Sequence, residues 1–357
     1  MTDKSVFRTK PLRNINGLFL FLCVVYNHSL ICAISGQFQL SPYVDTNVQE
    51  SLNNPTQTFG LKLRGDLHHE FSRSKWNIYE DILAQTFLDA RFIDESKLIL
   101  NSDLTVQYQW VPNILIVSQF SYFQKSFYEQ TRSHRWSEYN IYLQFLPHRK
   151  ITANIGYFFR STTFTSLGKF RFDEYSYEMR GKFQMNPRFS IETAAILGNI
   201  TYKDFAAWDI KNDTLLISLD VNQKDRLARN TIHFRYRGKI IYGLQLGFEW
   251  INSNSAIGEY ALVSYQGYFS GRVGETYFYH FVLQRVDKKY GYPSLSGVSG
   301  YRDPEEKIQN RSYIQIERMM AKRRVVFIKV SLFENETILN QRYYDKTVIE
   351  VGIKYKL

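Results

Sequence analysis

Six histidines lie beyond residue 35: His68, His69, His134, His148, His233 and His280. Imidazole titrates near neutrality, so each is a candidate base, proton shuttle or metal ligand. One of them has acidic company at short spacing. Asp66, His68 and Glu70 recur at every second position, which places them on one face of a strand. Such a cluster can serve acid/base chemistry or hold a cation, and a wetted wall of mixed charge produces the same pattern. His233 and His280 have no serine at a spacing that marks a nucleophile, although the partners of a hydrolytic triad need only meet in space. No Cys or His spacing matches a zinc site. Gly297-Val298-Ser299-Gly300 has loop composition, and no helical pattern follows it to build a phosphate cradle. No catalytic residue, metal or cofactor is therefore assigned.

The elements that carry these residues are strands. Phe59, Leu61, Leu63, Leu67 and Phe71 alternate with Lys62, Arg64, Asp66, His68 and Glu70. Leu98, Leu100, Leu104, Val106, Tyr108 and Trp110 alternate with Asn101, Asp103, Thr105, Gln107 and Gln109. Tyr175, Tyr177, Met179, Phe183 and Met185 oppose Glu174, Glu178, Arg180, Lys182 and Gln184. The last stretch, Val348 to Leu357, does the same, with Val351, Ile353, Tyr355 and Leu357 against Glu350, Gly352, Lys354 and Lys356. These runs are about ten residues or longer. That suits a membrane strand of ~9–11 residues better than a soluble one of about 5–6.

Composition agrees. There are 26 Tyr and 27 Phe, and no apolar run after the N-terminus approaches the ~18 residues of a spanning helix. The N-terminus reads as an export signal over residues 1–35. Lys4, Arg8, Lys10 and Arg13 are its basic region, Gly17 to Tyr26 its apolar region, and Ala33-Ile34-Ser35 its cleavage site. Cleavage there removes Cys23 and Cys32 and leaves about +8 of the formal +11. An exported chain without disulfides needs a large core or a closed sheet for stability. Basic excess suits polyanions, and export makes nucleic acid the least fitting of them.

Turn signals set the topology. Val111-Pro112-Asn113, Pro147-His148-Arg149, Asn186-Pro187-Arg188, Arg237-Gly238-Lys239 and Ala321-Lys322-Arg323 are tight connections, with a looser one at Gly271 to Gly274. Longer polar segments lie between them. Short turns on one rim and long loops on the other are the asymmetry of an outer-membrane barrel. Strands are expected near 38–46, 59–71, 76–92, 98–110, 114–127, 136–146, 150–163, 171–185, 189–202, 229–237, 239–252, 259–270, 275–287, 310–320, 324–334 and 346–357. The expected fold is all-β: a transmembrane antiparallel up-and-down β-barrel of about 16 strands, with 14 or 18 as alternatives, over residues 36–357. Long outer loops are expected near 203–228 and 288–310; by turn parity Leu215 to Val221 belongs to the first loop or to a hairpin standing above it, with two extra strands as the alternative. Residues 76–93 also fit a helical period and are read as a strand from their neighbours. That strand would put Glu80 on the lipid face beside Ile78 and Ile82. Trp76, Trp110 and Trp250 fall at strand ends facing lipid, whereas parity turns Trp136 inward; Trp208 falls in a loop.

The whole chain thus resembles bacterial outer-membrane β-barrel proteins of the porin-like kind. The resemblance lies in the signal peptide, the hairpin ladder, the aromatic strand ends and the terminal strand. In that group the alternating end, here Val351, Ile353, Tyr355 and Leu357, implies recognition by the barrel-assembly machinery. This chain ends in Leu rather than Phe. The lumen candidates are Lys62, Arg64, Asp66, His68, Glu70, Asp103, Glu174, Glu178, Arg180, Lys182, Glu192, His233, Arg235, Glu249, Lys329, Glu350, Lys354 and Lys356. Two signs on one wall suggest a transverse field that screens solutes by charge. The bland alternative is pairing between neighbouring strands. The expected partners are outer-membrane lipids and lipopolysaccharide, whose phosphates would attract outer Lys and Arg. The expected function is passive diffusion of small hydrophilic solutes. A membrane-embedded lipase or protease, or a barrel for structure, adhesion or polymer export, are the rivals.

Overall fold

The computed structural model describes residues 32–47, 55–128, 133–164, 171–211, 215–256, 258–290, 310–336 and 343–357. Among them are sixteen strands: β1 Cys32–Asp45, β2 Thr58–Arg73, β3 Trp76–Asp89, β4 Lys97–Val111, β5 Ile114–Phe127, β6 His134–His148, β7 Ile151–Phe164, β8 Arg171–Asn186, β9 Phe189–Lys211, β10 Leu215–Arg237, β11 Ile240–Ser253, β12 Tyr260–Val273, β13 Tyr277–Tyr290, β14 Asn310–Ala321, β15 Arg324–Glu336 and β16 Tyr343–Lys356. Each pairs antiparallel with its sequence neighbours, and β16 closes on β1. Closure satisfies every strand edge within the wall, which a bilayer requires because no water reaches the backbone there.

The seam is built from both ends of the described chain. Gln37 faces Lys356, Leu40 faces Ile353, and Asp45 faces Val348. A Cβ on Gly36 would lie 2.9 Å from the Asp66 carbonyl oxygen and 3.0 Å from a Leu357 methyl, so the terminal residue packs onto a strand only glycine can supply. β1 begins earlier than expected. Cys32 to Ser35 pair with Phe71 to His68 of β2, so the strand runs through the expected cleavage point. The rest of the expected signal segment lies outside the described residues.

All six expected tight turns are present, together with one that carries neither Pro nor Gly. It joins β2 to β3 through Ser74 and Lys75, and Ser74 takes a φ of 52°, in the left-handed region. β3 is a strand throughout, so its helical period is overruled by pairing with β2 and β4. Of the two forms that turn parity allows for residues 203–228, a long outer loop or a hairpin standing above the wall, the hairpin is the one that forms. β9 and β10 each run 23 residues and pair on to Lys211 and Leu215, forming a hairpin that extends above the wall. Trp208 lies within it. Of the expected loop at 288–310, Lys288 to Tyr290 belong to β13 and 291–309 lie outside the described residues.

The outer surface is apolar. Phe38, Leu67, Ile155, Met179, Leu197, Leu244, Leu283, Ile328 and Val351 are exposed there, as lipid-facing residues must be. Aromatic residues mark its margins: Trp76 packs against Tyr108 at a tilt near the short turns, and Trp250 stands near the opposite margin. Trp76, Trp110 and Trp250 are exposed, while Trp136 points inward and is buried. Glu80 does face outward, where it meets His69 at 3.7 Å, and both side chains are largely covered. This contact explains how an acid is accommodated beside Ile78 and Ile82. His69→Ala should lower stability by about 1–2 kcal/mol by leaving Glu80 unpaired, measured as a reduced urea midpoint in lipid vesicles. An unchanged midpoint would show that Glu80 is solvated instead.

Candidate functional site: the inner wall

Strand alternation sets the inner face, because the outward positions are the exposed apolar ones. All eighteen lumen candidates lie on it. On β2 these are Lys62, Arg64, Asp66, His68 and Glu70, and on β4 Asp103. On β8 they are Glu174, Glu178, Arg180 and Lys182, with Glu192 opposite on β9. His233 and Arg235 come from β10 and Glu249 from β11. Lys329 lies on β15, and Glu350, Lys354 and Lys356 on β16.

The structure joins many of these charges to a neighbour. Lys62 reaches across β1 to Glu350 at 2.9 Å, and Lys354 reaches across β15 to Glu317 at 2.5 Å. Arg64 clamps Asp66 through Nε and Nη2, and Arg180 donates to Glu178 at 2.6 Å. Lys182 meets Glu192 at 3.1 Å. Arg229 donates to Glu249 at 2.7 Å, and the Tyr260 hydroxyl donates to the other Glu249 oxygen at 2.6 Å. Arg160 holds Glu138. Pairing therefore accounts for much of the charge pattern, and the field across the lumen is broken into local dipoles. Other candidates are held differently. Asp103 accepts from Asn101 at 2.7 Å. Arg235 donates to the Tyr268 hydroxyl at 3.1 Å, with His233 at 3.4 Å from the same oxygen. Lys329 sits over the Tyr313 ring. Glu174 is buried, with the Ser176 hydroxyl at 3.4 Å.

The Asp66, His68 and Glu70 cluster does not converge. Asp66 is taken by Arg64, and His68 turns to Asp81 of β3 at 2.7 Å. Among the described residues no three His, Cys, Asp or Glu side chains come together as metal ligands. His280 does have a serine partner that chain spacing hid: its Nδ1 lies 3.0 Å from Ser270 Oγ across the β12–β13 pair. The acid on the adjoining strand, Glu317, is engaged by Lys354 and Gln315.

Sequence reasoning missed Asp81, Glu138, Arg160, Arg229, Tyr260, Arg311 and Glu317 as inner-wall residues. The same period-two alternation marks most of them. It fails for a second group. Phe164, Phe172, Ile200, Tyr202, Leu227, Ile251, Tyr260, Leu262 and Val286 form a buried apolar cluster on the inner face of β7–β13, in the half away from the short turns. Around several of these positions the pattern is inverted: Arg171 and Asp173 flank Phe172, Thr201 and Lys203 flank Tyr202, and Arg285 and Asp287 flank Val286, so polar residues face outward and an apolar-out rule misplaces the inner ones. Ring contacts continue the cluster, from Phe123 through His134, Phe164 and Phe172 to Tyr202. Below it opens a cavity of about 450 Å³. Arg160, Arg229 and Arg311, the carboxylates Glu174 and Glu249, and the amides Gln245, Gln266 and Gln284 line it. Arg311 Nε is buried there without a hydrogen-bond partner.

A closed sixteen-strand barrel with an apolar exterior, aromatic margins and a charged interior is an outer-membrane β-barrel. No family model matches the chain, and no curated protein matches it either. Solved structures that are similar in overall shape include OmpT, an outer membrane protein of Vibrio cholerae in its trimer form. It has 9% identity and a TM-score of 0.47, over 91% of this chain and 99% of that one. The outer membrane protein OprD from Pseudomonas aeruginosa has 7% identity and a TM-score of 0.44, over 91% and 94%. The siderophore receptor PirA, also from Pseudomonas aeruginosa, has 8% identity and a TM-score of 0.42, over 91% and 80%. Scores at this level carry no functional information, and the lumen itself is the guide to what the barrel does.

Proposed function

We propose that the protein is a passive diffusion channel of the outer membrane for small hydrophilic solutes. The supporting observation is the inner wall. Sixteen strands enclose a bore too wide for wall side chains to fill, whereas eight would be plugged by them. Charged and amide side chains line that bore on most strands. The paired charges keep the wall wetted at little cost in stability, because most of its carboxylates have a cation beside them. The solute then meets a corrugated row of dipoles and, towards the outer mouth, the guanidinium and amide groups around the cavity.

Purified protein inserted into a planar bilayer should give stepwise conductance, and loaded vesicles should swell in small sugars. Silent bilayers with protein that migrates as a folded barrel would reject the channel. The rival with one specific observation behind it is a hydrolase using Ser270 and His280. Turnover of a fluorogenic ester that disappears in Ser270→Ala would favour it.

A further inference from the structure

Along the margin away from the short turns, outward-facing cations are densest in one sector. On β6 to β10 the described outward residues above the aromatic margin include Arg135, Arg171, Lys203, Lys224 and Arg226. Asp173 is the carboxylate at their level, while Asp209 and Asp220 are exposed farther out on the β9–β10 hairpin. Register sets their neighbourhood. Arg171 is directly opposite Lys203, Asp173 is opposite Thr201, and Thr201 is opposite Lys224. Tyr175 is opposite Asn199, which is opposite Arg226. Like charges directly opposed on adjacent strands repel. Asp173 offsets part of this: it takes Lys203 at 2.8 Å, Arg171 at 3.3 Å and the Ser161 hydroxyl at 2.7 Å, and is itself buried beneath them. Arg171 and Lys203 stay about half exposed, at 44% and 49%. At this level one acid against Arg171, Lys203, Lys224 and Arg226 leaves the sector positive.

Height identifies the occupant. These cations lie about 12 to 16 residues along their strands from the short turns. At ~3.3 Å per residue and a tilt of 35–45° that is roughly 30–40 Å, beyond an apolar band of about 25 Å. They therefore stand at headgroup level in the leaflet away from the short turns. Just below them, Tyr175, Tyr177 and Leu197 present an exposed apolar floor facing acyl chains. The sector differs from the rest of that margin. On β13 to β15 the outward cation Arg285 is matched by Glu334, and Asp287 lies between it and Lys289.

We infer that the outward face of β8 to β10 around Arg171, Lys203, Lys224 and Arg226 binds the phosphate groups of an acylated lipid in the outer leaflet. The guanidinium groups would grip phosphate oxygens through paired N–H donors, and the ammonium groups would add point charge. Asp173 is the positioning residue that holds Arg171 and Lys203 at the surface. Each cation near an anionic lipid surface contributes about fivefold in binding.

The test uses the full barrel in detergent, with heat-dependent migration as the check that each variant is folded. Binding is measured to lipopolysaccharide, to its enzymatically dephosphorylated form, and to inorganic phosphate. Intact lipopolysaccharide should bind, and the K224A/R226A variant should bind it at least tenfold more weakly. Neither residue contacts Asp173, so this variant leaves the triad untouched. R171A/K203A should lose a similar factor, whereas R285A/K289A on β13 should lose none. Equal binding of the dephosphorylated lipid would overturn the proposal, because acyl contact would then suffice. Inorganic phosphate binding as tightly as the lipid would overturn the lipid as occupant. An unchanged affinity in folded K224A/R226A and R171A/K203A would overturn the site.

Discussion

Removing residues 348–357 should abolish the folded barrel. Thirteen register positions of β15 and seven of β1 pair with β16. Without its last ten residues, most of those backbone donors and acceptors would face hydrocarbon. Each unsatisfied group in lipid costs several kcal/mol, and the sum exceeds the 5–15 kcal/mol that folded domains have in reserve. The expected result is loss of the compact, heat-modifiable form in detergent and of protease resistance in vesicles. A truncated chain that still migrates as a folded barrel would show that β1 can close on β15 directly. Two barrel positions also require glycine at this seam. A Cβ on Gly352 would come within 2.5 Å of the Leu40 carbonyl oxygen, which is backbone and cannot move aside cheaply.

Lys62→Met should cost about 3 kcal/mol. Lys62 and Glu350 are both buried, with side chains 9% and 7% exposed, and their contact bridges β2 to β16 across β1. Removing one partner strands a buried charge, at about 3–5 kcal/mol. The low end applies because Lys329 faces Glu350 from β15 and can take up part of the charge. The double variant K62M/E350M should recover most of the loss, since a buried pair replaced by apolar residues of similar volume is often neutral. Urea unfolding in lipid vesicles, followed by tryptophan fluorescence, measures all three proteins in one cycle. If the double variant is as unstable as the single one, the seam depends on the pair for something other than charge balance. A second seam contact, Lys346 to Asp45 at 2.9 Å, lies nearer the outer rim and offers an independent comparison.

These two expectations rest on different layers of information. The terminal strand was legible from its own alternation, because a period of two needs only local chemistry. The same holds for the inward direction of Lys62 and Glu350, and of Trp136. Which charge meets which was not legible. Lys62 and Glu350 are 288 residues apart, and their contact exists because closure brings β2 and β16 to either side of β1. His280 and Ser270 met for a related reason, through the β12–β13 register rather than a motif.

The errors follow the same line. Turn parity placed residues 203–228 on the outer side as a loop or a raised hairpin, but polarity could not choose between them, since a strand outside the membrane has no lipid face and need not alternate cleanly. Pairing of β9 with β10 decides for the hairpin. The turn at Ser74 escaped notice because hairpin turns usually announce themselves with glycine, proline or asparagine. The apolar cluster around Ile251 and Leu227 escaped because beyond the apolar band the polarity inverts, with Phe172, Tyr202 and Val286 inward and Arg171, Lys203 and Arg285 outward, so an apolar-out rule points the wrong way.

By itself, then, the sequence determined the element type, the in-or-out sense of most side chains, a strand count near sixteen with 14 and 18 open, and the membrane setting. Each of these follows from local polarity repeated along the chain. Tertiary structure alone decided the seam partners, the pairing of inner charges and the cationic sector around Asp173. Those depend on which strands become neighbours and in what register, and closure of the sheet sets both.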